Sequence, residues 1–151
     1  KIELAWLTTP DYAVLLTATS RDDKLWDEAH WITVGKAFAE RGLVAVLPSG
    51  NAIERERAAR LAAAIPGAIA APPLTLRELA ALLGNSRLTL GVDTGLVHLS
   101  AALGKPTIAL YTATDPALTG AYGPGFVRNL GGKNAAPTPS QVLAVAEQEL
   151  R

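Results

Sequence analysis

The feature that most constrains this 151-residue chain is a regular alternation of short apolar runs with longer stretches of helical period. The apolar runs at residues 12–16, 43–47, 88–92 and 107–111 are bounded by Gly, Pro or polar residues and are the right length for buried strands. Between them apolar residues recur every three or four positions; Trp31, Val34 and Phe38 share one face of a helix predicted over residues 27–40. A buried strand followed by an amphipathic helix, repeated, is the pattern of a parallel sheet with crossover helices. The expected fold class is therefore α/β, a doubly wound parallel sheet.

The punctuation agrees with that pattern. Gly42 and Gly104 stand where helix C-termini need a residue free to take positive φ, and Pro66-Gly67 ends a helix predicted over residues 53–64. Thr75-Leu76-Arg77-Glu78 is a capping box opening a helix that ends near Gly84, and Thr138-Pro139-Ser140-Gln141 announces a last helix running to the end of the chain. Residues 96–103 form a helix between two strands, residues 68–71 a short third strand, and residues 126–130 an edge-like stretch after a Gly-rich turn at 120–125. Residues 1–11 do not fit the alternation and read as the remnant of an interdomain linker, with one domain over 12–151. The start at Lys1 and the lack of methionine lead us to expect a fragment of a longer protein.

Composition narrows the function. Fourteen basic side chains balance fourteen acidic ones, so no general field draws the surface to nucleic acid or to an anionic membrane, and any anion must be bound locally. There is no cysteine and there are only two histidines, His30 and His98, which excludes a disulfide framework, a thiolate metal site and a histidine cluster; no metal is expected. Apolar runs are interrupted well before the roughly 20 residues of a membrane span, and no signal peptide opens the chain, so a cytosolic domain without a transmembrane segment is expected.

Ligands of doubly wound sheets bind beyond the carboxyl ends of the strands, which directs attention to the loops after residues 16, 47, 92 and 111. In Gly91-Val92-Asp93-Thr94-Gly95-Leu96-Val97-His98 the chain passes from strand to helix within a few residues. The amides of Thr94, Gly95 and Leu96 are left at a helix N-terminus, where free N–H groups and the helix dipole favour a phosphate and the Thr94 hydroxyl can donate to it. Asp93 opposes a bound phosphate unless it caps the helix or holds a donor; the plainer alternative makes Asp93 or Thr94 an N-cap and His98 a packing residue. The loop Thr17-Ala18-Thr19-Ser20-Arg21-Asp22-Asp23-Lys24 gathers hydroxyls and charges beyond what a connection requires, and Lys24 can reach a diphosphate; the alternative is a solvated loop. Glu54 lies in a first helical turn, suited either to the dipole or to a ribose hydroxyl, and Thr114 and Asp115 either cap a short helix or touch a ligand from the far side.

Taken together, Thr19-Ser20-Arg21-Asp22-Asp23-Lys24 followed by Trp26, Leu47-Pro48-Ser49-Gly50, Val92-Asp93-Thr94-Gly95-Leu96 with His98, Thr114-Asp115-Pro116 and Tyr122-Gly123 resemble, in order and spacing, the type I lipopolysaccharide heptosyltransferases of glycosyltransferase family 9. The resemblance implies the Rossmann-like C-terminal domain of a two-domain GT-B enzyme. It implies a donor, ADP-L-glycero-β-D-manno-heptose, bound here, and a Kdo-lipid A acceptor bound by an N-terminal domain of the same parent protein at the cytoplasmic face of the bacterial inner membrane. By similarity Thr19, Ser20, Lys24, Asp93, Thr94, Gly95, Leu96 and His98 are donor-binding, with Glu54, Thr114 and Asp115 as further candidates. The inverting base is expected in the N-terminal domain, so no residue of this chain is expected to be catalytic and the fragment alone not to turn over; no cofactor beyond the donor substrate is implied.

Two other functions fit the same residues. A GT-B transferase using a UDP- or GDP-sugar would share the phosphate-binding turn, which does not read the base. A non-catalytic nucleotide-binding module of flavodoxin-like shape would share the fold.

Overall fold

The computed structural model describes residues 2–18, 24–113 and 120–150. In chain order these form β1 (Tyr12–Leu16), α1 (Glu28–Glu40), β2 (Val44–Leu47), α2 (Ala52–Ala64), β3 (Ile69–Ala70), α3 (Leu76–Gly84), β4 (Leu88–Val92), α4 (Gly95–Ala102), β5 (Thr107–Tyr111), β6 (Val127–Gly131) and α5 (Pro139–Leu150). All six strands pair in parallel in the order β3-β2-β1-β4-β5-β6. The chain winds outward from β1 in one direction and, after α3, resumes at β4 on the other side. The topological switch point therefore lies between β1 and β4, where such sheets leave a crevice.

Residues alternate across the sheet, and each face has its own core. Ala13 and Leu15 of β1 join Trp31, Val34 and Phe38 of α1, Ala58 and Leu61 of α2 and Val142, Ala146 and Leu150 of α5. Tyr12, Val14 and Leu16 face the other way, against Leu82 and Leu83 of α3 and Val97 and Ala101 of α4. The four inner strands are thus buried on both faces, which explains why their sequences are continuous apolar runs. Strand β6 forms an edge of the sheet and is half exposed, and it begins one residue later than the pattern placed it.

The helix boundaries follow from local chemistry. Thr75 and Glu78 form a reciprocal capping box, with Thr75 N donating to Glu78 Oε1 (2.9 Å) and Glu78 N to Thr75 Oγ1 (3.1 Å). Thr138 and Gln141 do the same at α5 (2.8 and 3.2 Å). Gly42 and Gly104 take φ of +83° and +76° after α1 and α4, a conformation that costs a side chain energy and glycine none. Between residues 2 and 11 there is no strand, yet Leu4, Trp6 and Leu7 pack against the α3/α4-side core.

Candidate functional site: an open helix terminus at the sheet switch point

At the carboxyl end of β4 the chain turns through Asp93 and Thr94 into α4. Gly91 makes that turn close to its neighbours: a Cβ there would lie 2.5 Å from Val97 Cγ2 and 2.7 Å from Leu16 Cβ, so only glycine lets α4 and β1 approach β4 to this degree. Thr94 is the N-cap residue, with extended backbone (φ −155°, ψ 161°), but its hydroxyl makes no capping hydrogen bond, and no acidic residue stands in the first turn. Among the described residues nothing accepts from the amides of Gly95 and Leu96. The first turn of α4 is accordingly a set of N–H donors at the positive end of a helix, open to an anion.

Asp93 is buried, and it does not serve as the cap. Its Oδ2 lies 3.2 Å from Lys24 Nζ and its Oδ1 lies 3.3 Å from His98 Nε2. Of the two roles open to Asp93 in the sequence, holding donors is the one the geometry adopts. A buried carboxylate is tolerated when it is paired, and the pair fixes the ammonium of Lys24 beside the start of α4. Lys24 is thus held at the strand-to-helix turn that opens α4. Tyr111, at the end of the neighbouring strand, has its phenol pushed up to about 12, chiefly by burial, with the negative charge of Asp93 adding to it.

Beside this terminus lies a cavity of about 340 Å³, within the size range of roughly 300–1,000 Å³ typical of small-molecule sites. Leu16, Thr17 and Ala18 form its β1 wall, Pro48 to Asn51 and Glu54 its β2 wall, Leu74 and Leu79 its α3 wall, and Thr94 and Leu96 its α4 wall. It therefore straddles the switch point, apolar on one side and polar on the other. A second cavity of about 480 Å³ lies over the α1 side of the same rim, lined by residues that include Trp26, Glu28, His30, Arg57 and Thr112.

The structure brings together Lys24, Asp93 and His98, places Thr94 and Leu96 on the cavity wall, and leaves Gly95 exposed at the head of α4. Glu54 also reaches the cavity, but its carboxylate already works: Oε1 accepts from Gly50 N (2.8 Å) and Oε2 from Asn51 Nδ2 (3.0 Å), while Asn51 Oδ1 accepts from Glu54 N (2.9 Å). It holds the β2–α2 loop in shape at the edge of the cavity. Thr19, Ser20, Thr114 and Asp115 lie outside the described residues. Sequence reasoning missed Leu74 and Leu79, which occupy the two positions of a hydrophobic staple around the Thr75 cap. That motif was readable; its use as a cavity wall was not.

Among the described residues no helix is long and apolar enough to cross a membrane, and no group of three or more His, Asp or Glu side chains could hold a metal ion.

The model of glycosyltransferase family 9 (heptosyltransferase) matches residues 4–145, nearly the whole chain. The chain belongs to glycosyltransferase family 9. The lipopolysaccharide heptosyltransferase 1 of Pseudomonas aeruginosa is 46% identical over 112 residues, covering 74% of this chain and 32% of that protein. Its counterpart in Escherichia coli K12 is 44% identical over 113 residues, covering 75% of this chain and 35% of that one. Among solved structures, the E. coli heptosyltransferase WaaC with ADP superposes with a TM-score of 0.84 at 39% identity, over 92% of this chain and 44% of WaaC. The chain thus spans about a third of the length of the curated family 9 relatives it matches. The family 9 match begins at Leu4, inside the segment read as linker.

Proposed function

We propose that this chain is the donor-binding half of an inverting family 9 heptosyltransferase. In this reading it holds ADP-L-glycero-β-D-manno-heptose while a second, N-terminal domain of the parent protein holds Kdo-lipid A and supplies the base, at the cytoplasmic face of the inner membrane. The observation that carries it is the ion pair of Lys24 with Asp93 just before the uncapped head of α4, whose Thr94 and Leu96 line a cavity of about 340 Å³. The WaaC structure with ADP supports the choice of nucleotide, since that protein is named with this ligand and matches the chain over 92% of its length.

In such a transfer the bond from the anomeric carbon to the diphosphate oxygen breaks while the acceptor oxygen attacks from the opposite face, so negative charge accumulates on the departing ADP. Donors fixed in advance where that charge develops lower the barrier without reorganising. The α4 amides and Lys24 fill this role, Asp93 keeps Lys24 and His98 in register, and Thr19 and Ser20 approach the same phosphates in this reading. The nucleoside lies between the apolar α3 wall and the β2–α2 loop, whose shape Glu54 holds. Thr114 and Asp115 are further donor contacts in this reading. By itself the chain binds donor and does not turn over.

Calorimetric titration of the chain with ADP, UDP, GDP and ADP-heptose tests this. We expect ADP to bind at least about tenfold more tightly than UDP or GDP, with ADP-heptose tighter still. Equal affinity for the three diphosphates would replace this reading with that of a generic nucleotide-sugar site. No binding at millimolar concentrations would remove the donor-binding assignment.

A further inference from the structure

Arg57 projects from the second turn of α2 toward the loop that joins β1 to α1, and it meets that loop at both ends. Its Nη1 donates to the Thr17 carbonyl (3.4 Å), at the exit from β1, and its Nε lies 3.7 Å from Glu28 Oε2, at the first residue of α1. The intervening segment carries Lys24. The same helix carries Glu54 one turn earlier, and Thr17 and Glu54 both line the 340 Å³ cavity. One guanidinium therefore spans three parts of the site: the β1 exit, the α1 entrance and the helix that shapes the β2–α2 loop.

A surface ion pair is the ordinary explanation for an arginine beside a glutamate, and it contributes little. Arg60 fits that description: it is largely exposed and pairs with Glu28 at 2.9 Å through Nη2, more closely than Arg57 does. Arg57 differs in two respects. Its side chain is only 19% exposed, and among the described residues it alone of the two reaches the backbone of the β1–α1 loop. Arginine suits this task because its planar fork addresses a carbonyl and a carboxylate simultaneously, which a lysine ammonium on a flexible stem does less well.

We propose that Arg57 is a positioning residue, which pins both ends of the β1–α1 loop to α2 and so holds Lys24 at the head of α4 without touching the ligand. The inference rests on the donor-site reading for its functional consequence and on the contacts of Arg57 alone for the anchoring. Pre-organising a loop that carries a charged ligand contact raises affinity by lowering the ordering cost of binding.

Four forms of the chain decide it: wild type, Arg57→Ala, Arg57→Lys and Arg60→Ala. Amide hydrogen exchange without ligand reports the anchor. Arg57→Ala is expected to speed exchange at Ala18, Lys24 and Leu25 about tenfold, with exchange at Leu47 and Leu90 unchanged, whereas Arg60→Ala leaves all five within about twofold. With ADP, Arg57→Ala is expected to weaken binding about tenfold at an unchanged melting temperature, Arg57→Lys to recover part of the loss, and Arg60→Ala to bind as wild type. Should Arg57→Ala unfold, the charge-conserving Arg57→Lys carries the same comparison with Arg60→Ala. Equal behaviour of the Arg57 and Arg60 variants, or unchanged exchange in Arg57→Ala, would overturn the proposal. If wild type bound no ADP, the donor reading would fall by itself, and the exchange data would still decide the anchor.

Discussion

Helices α2 and α4 both start at the carboxyl edge of the sheet, on the two sides of the switch point, and they treat their N-termini in opposite ways. Helix α2 supplies its own partners: Asn51 caps Glu54 N, and the Glu54 carboxylate sits in the first turn, bonded back to Gly50 N. Helix α4 supplies none. Its N-cap hydroxyl is idle, its first turn has no acid, and the nearest carboxylate, Asp93, faces Lys24 and His98 instead. The same backbone geometry is thus finished at one terminus and left open at the other. An N-terminus that carries its own anion is already satisfied; one without an acid in its first turn is left able to take an anion from outside.

The difference can be abolished by giving α4 what α2 already has. A Cβ at Gly95 meets nothing within 4 Å, so Gly95→Asp is accommodated. A carboxylate there is expected to cut ADP affinity by about thirtyfold or more, while stability changes by no more than about 1 kcal/mol in either direction. Calorimetry and urea unfolding of the variant check the two halves; undiminished ADP binding would mean that the phosphates lie elsewhere.

Lys24 gives the next largest effect. Lys24→Ala removes the cation and leaves Asp93 buried with a lost partner, so affinity is expected to fall about tenfold and stability by about 1–3 kcal/mol. Adding Asp93→Asn should restore much of the stability and none of the affinity. If the double variant recovered ADP binding, the ammonium would be a structural partner of Asp93 and not a ligand contact.

At the finished terminus the expectation reverses. Asn51→Ala is expected to cost about 1 kcal/mol in urea unfolding and to leave ADP affinity within about twofold, because the cap stabilises α2 and not the ligand. A large loss of affinity at small cost in stability would show that the β2–α2 loop is as much a ligand contact as α4.

Alkali is the gentlest probe. Burial pushes the phenols of Tyr12 and Tyr111 up to about 12. The folded state therefore favours the neutral form: this contribution is complete below the ordinary value near 10 and is lost as pH rises from there through about 12. Stability to urea should fall across that window, and Tyr111→Phe should make the fall shallower.

Much of this fold was legible because its signals are local. Capping at Thr75 and Thr138 and positive φ at Gly42 and Gly104 each involve residues within a few positions, and the continuous apolar runs reflect strands covered on both faces. The candidate site was legible by residue type, since a Gly-bearing strand-to-helix turn and a lysine-containing loop announce phosphate chemistry. Its wiring was not. Asp93 could equally have capped α4; the choice depends on where Lys24 arrives.

Residue order alone was enough for a parallel, doubly wound sheet and for the head of α4 as a candidate site, because strand burial and helix capping act over one or two turns of chain. Pairing Lys24 with Asp93, lining a cavity with Leu74 and Leu79 and bringing Arg57 to both ends of the β1–α1 loop required the assembled sheet. Those contacts join segments far apart in the chain, and only β1, β2 and β4 lying side by side bring their loops within reach of one another.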